Sequence, residues 1–289
     1  MTEPTTRLTR ANTCILVDST ADMPESLAAD PNVRMIPLLV RFGDEIYKDW
    51  IDITPPVFYS KLRAAKELPT TSLPSVGEFT DTYRRLKETW PYIFSIHLSS
   101  KISGTFDSAT VAAEAFEDVT VVDSEICSLG VSLLVERMLL KLEQGVDYAA
   151  LTEYVEWFKR TRGMLFLLDT LEYIAKGGRI GRAASLAGSL LSIKPILTFT
   201  DGLVTPFKKA RGEKKALQLI VDTFLEDTKP GSPVIATIGH GDDIEKAEEL
   251  RRLIEATDRE VDMRFIGYVG SVIGTYGGPG SRVLYYIQE

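Results

Sequence analysis

The stretch from Tyr92 to Ser124, YIFSIHLSSKISGTFDSATVAAEAFEDVTVVDS, decides the fold class. It opens on an apolar run, ends that run in two serines, and continues through an alanine-containing helical segment. It closes on a second run, VTVVDS, rich in β-branched residues. A strand, a helix and a strand in one short stretch are the repeating unit of a parallel sheet, because parallel neighbours need a crossover between them. The same alternation extends in both directions. Upstream, TCILVDSTADMP (13–24) reads as a buried strand that ends in an acidic, hydroxyl-rich loop. VRMIPLLVRF (33–42) is a second strand candidate, although Pro37 argues against a regular central position. Helices are expected in TPPVFYSKLRAAKELP (54–69) and SVGEFTDTYRRLKETW (75–90), where Phe79, Tyr83 and Leu86 share one face. Downstream, CSLGVSLLVERMLLKLEQG (127–145) is apolar enough to be a largely buried helix. In open sheets of this kind the ligand crevice lies at the carboxyl ends of the strands, which places Asp18, Ser99, Ser100 and Asp123 at that edge.

Past the polar-faced helix YAALTEYVEWFKRT (148–161) the pattern changes. GMLFLLD is a strand, and KPILTFTDGLVTPFKKA (194–210) reads as a hairpin turning at Asp201-Gly202. A helix to about Glu226, the strand PVIATIGHG, the helix DDIEKAEELRRLIEA and two terminal strands follow. The expected organisation is an N-terminal α/β domain over residues 1–160, built on a parallel layer, and a second mixed α/β domain over 161–289.

Bulk properties narrow the function. A chain of 289 residues can bury two cores, and 44% hydrophobic with 26% charged residues is ordinary globular composition. The net charge of -8 argues against a nucleic-acid partner, which would ask for a basic face. Cys14 and Cys127 make neither a disulfide framework nor a metal cluster, and the only histidines, His97 and His240, sit in no metal-binding motif. No metal is expected. The polar N-terminus lacks the apolar core of a signal peptide, and no apolar stretch is long enough to cross a bilayer, so a cytoplasmic location is expected.

Several clusters could carry chemistry. Thr70, Thr71, Ser72 and Ser75 precede a helix, where hydroxyls and free amides can hold an anion or simply cap. Ser99 and Ser100 stand at a strand-to-helix turn without the G-x-S-x-G elbow of a serine nucleophile, and read as hydrogen-bond donors. His97 lies within its strand pattern and reads as a core or groove histidine. AKGGRIGRA wraps Lys176, Arg179 and Arg182 around glycines but is no nucleotide-binding loop. FKKARGEKK gathers Lys208, Lys209, Arg211, Lys214 and Lys215 in an acidic protein, as a solvated helix start or as a docking patch. GTYGGPG (274–280) sets Tyr276 among glycines, either as a tight turn or as a loop that admits a ligand.

Taken in order, ILVDSTADMP, TTSLPSVGEF, LSSKISGTFDSA, VVDSEICSLG, AKGGRIG, KPILTFTDG and VIGTYGGPG resemble the successive motifs of the DegV family, from about Cys14 to Tyr286. The resemblance implies a DegV-like two-domain α/β fold that binds one long-chain fatty acid in an apolar tunnel near the domain interface, with no cofactor. Thr71, Ser72, Ser99, Ser100 and Tyr276 would lie at the carboxylate, Arg179 near the entrance, and Arg211 facing a partner. That partner would be a separate ATP-dependent fatty acid kinase feeding phospholipid synthesis, which makes this chain a substrate-binding subunit rather than an enzyme. A monomer with only transient membrane proximity is the default. The alternatives are a lipid-binding regulator without kinase coupling, and a stand-alone serine hydrolase or phosphotransferase. The chain departs from the family pattern at Tyr276, where G-T-H-x-G-P-G is usual: a phenol offers one donor and lacks the charge a histidine can take up.

Overall fold

The strand Thr13–Asp18 is buried at every one of its positions, which requires cover on both faces. It lies at the centre of a four-stranded parallel sheet in the order 33–36, 13–18, 92–97, 119–123. The structure, a computed structural model, describes residues 6–186 and 193–289. On one face Cys14, Leu16, Ile36 and Ile93 pack with Phe79 and Tyr83 of the helix Val76–Lys87 and with Ala109 and Ala112 of the helix Thr105–Ala113. The alternate residues Ile15, Val17, Phe94 and Ile96 are buried as well. The helix Leu129–Gln144 buries ten of its residues, as its composition requires. Ser75 caps the helix at 76–87: its Oγ accepts from the Glu78 N–H at 3.3 Å, while the Glu78 carboxylate accepts from the Ser75 N–H at 2.8 Å.

Two compact units divide the chain. The first takes residues up to Leu38 and Ser72–Thr161; the second takes Leu39–Thr71 and Arg162–Glu289. Against a single cut near residue 160, the segment 39–71 therefore groups with the C-terminal half. Specific bonds account for this. Tyr59 Oη donates to the Val269 carbonyl at 3.0 Å, the Asp49 carboxylate accepts from the Ser271 N–H at 3.1 Å, and Arg63 pairs with Asp242 at 2.5 Å. The run VRMIPLLVRF is two strands rather than one, Val33–Ile36 and Leu39–Phe42, separated at Pro37 and Leu38 where the first segment of the first unit ends.

The second unit holds a mixed six-stranded sheet in the order 203–211, 193–200, 163–167, 282–287, 234–240, 261–268. Only the pair 234–240 and 261–268 runs parallel. The hairpin from Ile193 to Arg211 turns at Asp201 and Gly202, both with positive φ (51° and 74°), as a two-residue turn between twisted strands demands. Its core gathers Leu165, Ile196 and Leu284 from the sheet with Leu217, Ile220 and Phe224 of the helix Glu213–Asp227 and Leu250 and Ile254 of the helix Ile244–Glu255. Among the described residues no helix is long and apolar enough to cross a membrane.

Candidate functional site

The segment GTYGGPG is not a simple loop: Ser271–Gly277 forms a short helix, and Tyr276 lies in its last turn. Gly278, at φ +71°, ends the helix and returns the chain towards the strand Arg282–Ile287, a conformation that a side chain would strain. The Tyr276 hydroxyl lies 2.6 Å from Thr71 Oγ1. Either oxygen can donate in this pair. Two hydroxyls so close can exchange their mutual bond for two bonds to a single anion.

Arg179 belongs to the same group, its guanidinium carbon 5.2 Å from the Tyr276 ring centroid. Its Nη1 donates to the Gly177 carbonyl at 2.9 Å. Gly177 gives the ring its room, since a Cβ there would stand 2.4 Å from Tyr276 Cδ1. Local sequence gives only one signal of this role, the glycine pair in KGGR, because Gly177 and Tyr276 lie far apart in the chain, at the ends of separate helices.

The structure thus brings together Thr71, Tyr276 and Arg179, all in the second unit. Ser72, Ser99 and Ser100 belong to the first. Ser72 is exposed. Ser99 is fully buried, its Oγ accepting from the Lys101 N–H at 3.2 Å, and Ser100 donates its N–H to Asp123 Oδ1 at 3.2 Å. Arg211 is exposed at the end of the hairpin strand.

At the carboxyl ends of the parallel strands, the sequence gives no warning of a buried polar chain. His97 Nδ1 lies 3.0 Å from Asp18 Oδ2, and Ser95 Oγ lies 2.7 Å from His97 Nε2. Tyr83 Oη donates to Ser95 Oγ at 2.8 Å. Asp18 also accepts from the N–H groups of Leu98 and Thr20, each at 3.0 Å, and from the Thr20 hydroxyl at 2.5 Å. A serine, a histidine and an aspartate in line suggest a hydrolytic relay, yet Ser95 and His97 are 0% exposed and Asp18 is 1%. No ester can reach Ser95 there. Burial pushes the Tyr83 phenol up to about 12, against the lowering effect of its bond with Ser95, so it remains a donor. The chain is a structural network with its bonds satisfied, and the histidine is a core residue.

His240 is the other buried imidazole. Its Nδ1 accepts from the Asp243 N–H at 3.2 Å, and its ring lies against Tyr268 at 4.5 Å between centroids. Burial lowers its pKa, with Asp242 and Asp243 pulling upward. The folded protein therefore keeps His240 neutral at pH values where the unfolded chain already binds a proton. Its contribution to stability is intact above about 6.5 and is lost as pH falls from there through the lowered folded value. Melting temperatures of wild type and His240→Gln should accordingly converge between about pH 7 and about pH 5, the window in which an imidazole charges. His97 is common to both proteins, and a constant gap would reject the assignment to His240. Among the described residues, no group of acidic, histidine and cysteine side chains could hold a metal ion.

Comparison with known proteins sets these features in context. Residues 12–289 match the DegV family, described as a family of uncharacterised proteins. A DegV domain-containing protein of Halalkalibacterium halodurans is 39% identical over 280 residues, covering 95% of this chain and 98% of that one. A DegV family protein of Thermus thermophilus, described by its fatty acid binding, superposes with a TM-score of 0.92 at 36% identity, over 96% of this chain and all of that one. A stearic-acid-binding protein of Eubacterium ventriosum gives a TM-score of 0.84 at 26% identity, covering 95% and 97% of the two chains.

Proposed function

The chain belongs to the DegV family, and on that footing we propose that it binds a long-chain fatty acid in an apolar tunnel and holds its carboxylate by hydroxyl groups. The hydroxyl pair of Thr71 and Tyr276, 2.6 Å apart, is the observation that carries this reading. A pair of donors with no permanent charge of their own suits a carboxylate that must later be released. Ser72, Ser99 and Ser100 complete the proposed carboxylate set. The similarity to fatty-acid-binding proteins of the same family supports the reading.

The finer role proposed is that of a cytoplasmic, monomeric carrier that presents the carboxylate to a separate ATP-dependent fatty acid kinase, with Arg211 and its neighbouring lysines facing that partner. A lipid-binding regulator without kinase coupling is the second reading, favoured by the phenol at 276 in place of the usual histidine. Formation of acyl phosphate from bound oleate, a kinase of this type and ATP would decide for the carrier.

Native mass spectrometry and lipid extraction of the purified protein should reveal a bound acyl chain, and the delipidated protein should take up oleate. A protein that carries no lipid and ignores oleate would sink the proposal. Tyr276→Phe removes one of the two donors and should weaken oleate binding by roughly 1–3 kcal/mol, as read by calorimetry. Unchanged affinity would remove Tyr276 from the site.

A further inference from the structure

Tyr276 stands in the last turn of a helix of only seven residues, Ser271–Gly277, and a helix that short does not hold its own direction. Gly270 occupies its N-cap and has no side chain to accept the free amides of the first turn. The acceptor comes from far away in the chain. Asp49, 1% exposed, takes the Ser271 N–H on Oδ1 at 3.1 Å. The fully buried Tyr59 donates its hydroxyl to the Val269 carbonyl at 3.0 Å, just ahead of the helix. Its ring fits because Gly274 has no Cβ, which would lie 2.7 Å from Tyr59 Oη.

Asp49 is held in an uncommon turn. It follows the strand Glu45–Lys48, and the next residue, Trp50, has φ 63°, a left-handed backbone that a bulky side chain rarely adopts. Asp52 closes the turn: its N–H donates to the Lys48 carbonyl at 2.8 Å, and its carboxylate accepts from the Lys48 N–H at 2.8 Å. Strain of this kind persists where the surroundings fix one geometry, and here that geometry aims Asp49 at the helix. The strand Glu45–Lys48 belongs to a three-stranded sheet in the order 45–48, 39–42, 70–72, which also carries Thr71. One sheet therefore grips the helix twice. Asp49 holds its first residue, and Thr71 meets the Tyr276 hydroxyl about 7.5 Å further along the axis.

We propose that Asp49, assisted by Tyr59, is the positioning residue of the carboxylate site: buried away from the ligand, it sets the angle at which Tyr276 presents its hydroxyl beside Thr71. The inference rests on the fatty-acid reading and adds to it the residue that pre-organises the donor pair.

The test measures oleate affinity, by displacement of a fluorescent fatty acid, for Asp49→Ala, Asp49→Asn and Tyr59→Phe, each in the wild-type and in a Tyr276→Phe background. Asp49→Ala and Tyr59→Phe should lose roughly three- to tenfold in affinity, a part of what the phenol supplies. Asp49→Asn keeps an acceptor oxygen and should stay within about twofold of wild type. In the Tyr276→Phe background all three should be silent, because the hydroxyl they position is gone. The second readout is the fluorine NMR spectrum of ligand-free protein labelled with fluorotyrosine, in which the Tyr276 resonance is the one lost in Tyr276→Phe. That resonance should move in Asp49→Ala and return in Asp49→Asn. Should Asp49→Ala fail to fold, the affinity and the resonance of Tyr59→Phe decide in its place. An equal loss in both backgrounds, or an unmoved Tyr276 resonance, would make this a contact of general stability and overturn the proposal. Wild type that binds neither the fluorescent probe nor oleate defeats the underlying fatty-acid reading instead, and the resonance still decides the positioning.

Discussion

Asp18→Ala is expected to lower the free energy of unfolding by about 3–5 kcal/mol, the range for breaking a buried, hydrogen-bonded charge network. The carboxylate is 1% exposed and organises the end of the central strand. Without it the N–H groups of Thr20 and Leu98 and the Nδ1 side of His97 lose their acceptor in a place water does not reach. Each abandoned group costs its full desolvation, which is why the expected loss matches that of truncating a large core side chain to alanine. Ser95→Ala should be milder, because Tyr83 Oη keeps its contact with the Ala109 carbonyl at 3.4 Å. Urea unfolding followed by circular dichroism separates the two. A loss below about 1 kcal/mol for Asp18→Ala, the net value of a single ordinary hydrogen bond, would mean the network is not held as described.

That network also shows what a sequence can and cannot disclose. The alternation around Tyr92–Ser124 made the parallel layer legible, since period and β-branched content reflect burial directly. The hairpin at Asp201-Gly202 was equally plain, because its turn needs residues that tolerate positive φ. His97 could be assigned to the core from its place in the strand. Its partners could not, because Asp18 is 79 residues away and the bond depends on strand order, which local pattern does not fix. For the same reason the return of residues 39–71 to the second unit escaped a linear reading. Pro37 marked the break, but the destination is set by long-range bonds such as Tyr59 to Val269. The short helix through Tyr276 was hidden by its glycines, which disfavour a helix locally and are tolerated in the packed fold.

The candidate site was legible as a set of residues and not as an arrangement. Thr71, Tyr276 and Arg179 each stood out by motif, whereas their meeting depends on Gly177. Gly177→Ala is expected to disturb oleate binding more than Tyr276→Phe does, because it displaces the ring, its hydroxyl and the stacked cation together. The substituted residue itself is unstrained: Gly177 has φ -73° and ψ -9°, which alanine adopts freely as the cap of the helix Glu172–Lys176. The added methyl would instead lie 2.4 Å and 2.6 Å from two carbons of the Tyr276 ring. Overpacking of this kind costs about 1–3 kcal/mol, here concentrated on the binding residue. A double-mutant cycle gives the decisive reading. In a Tyr276→Ala background the ring is gone, and Gly177→Ala should have almost no effect on stability or on oleate affinity. An equal cost of Gly177→Ala in both backgrounds would show that the methyl group acts elsewhere, and that this glycine does not seat the phenol.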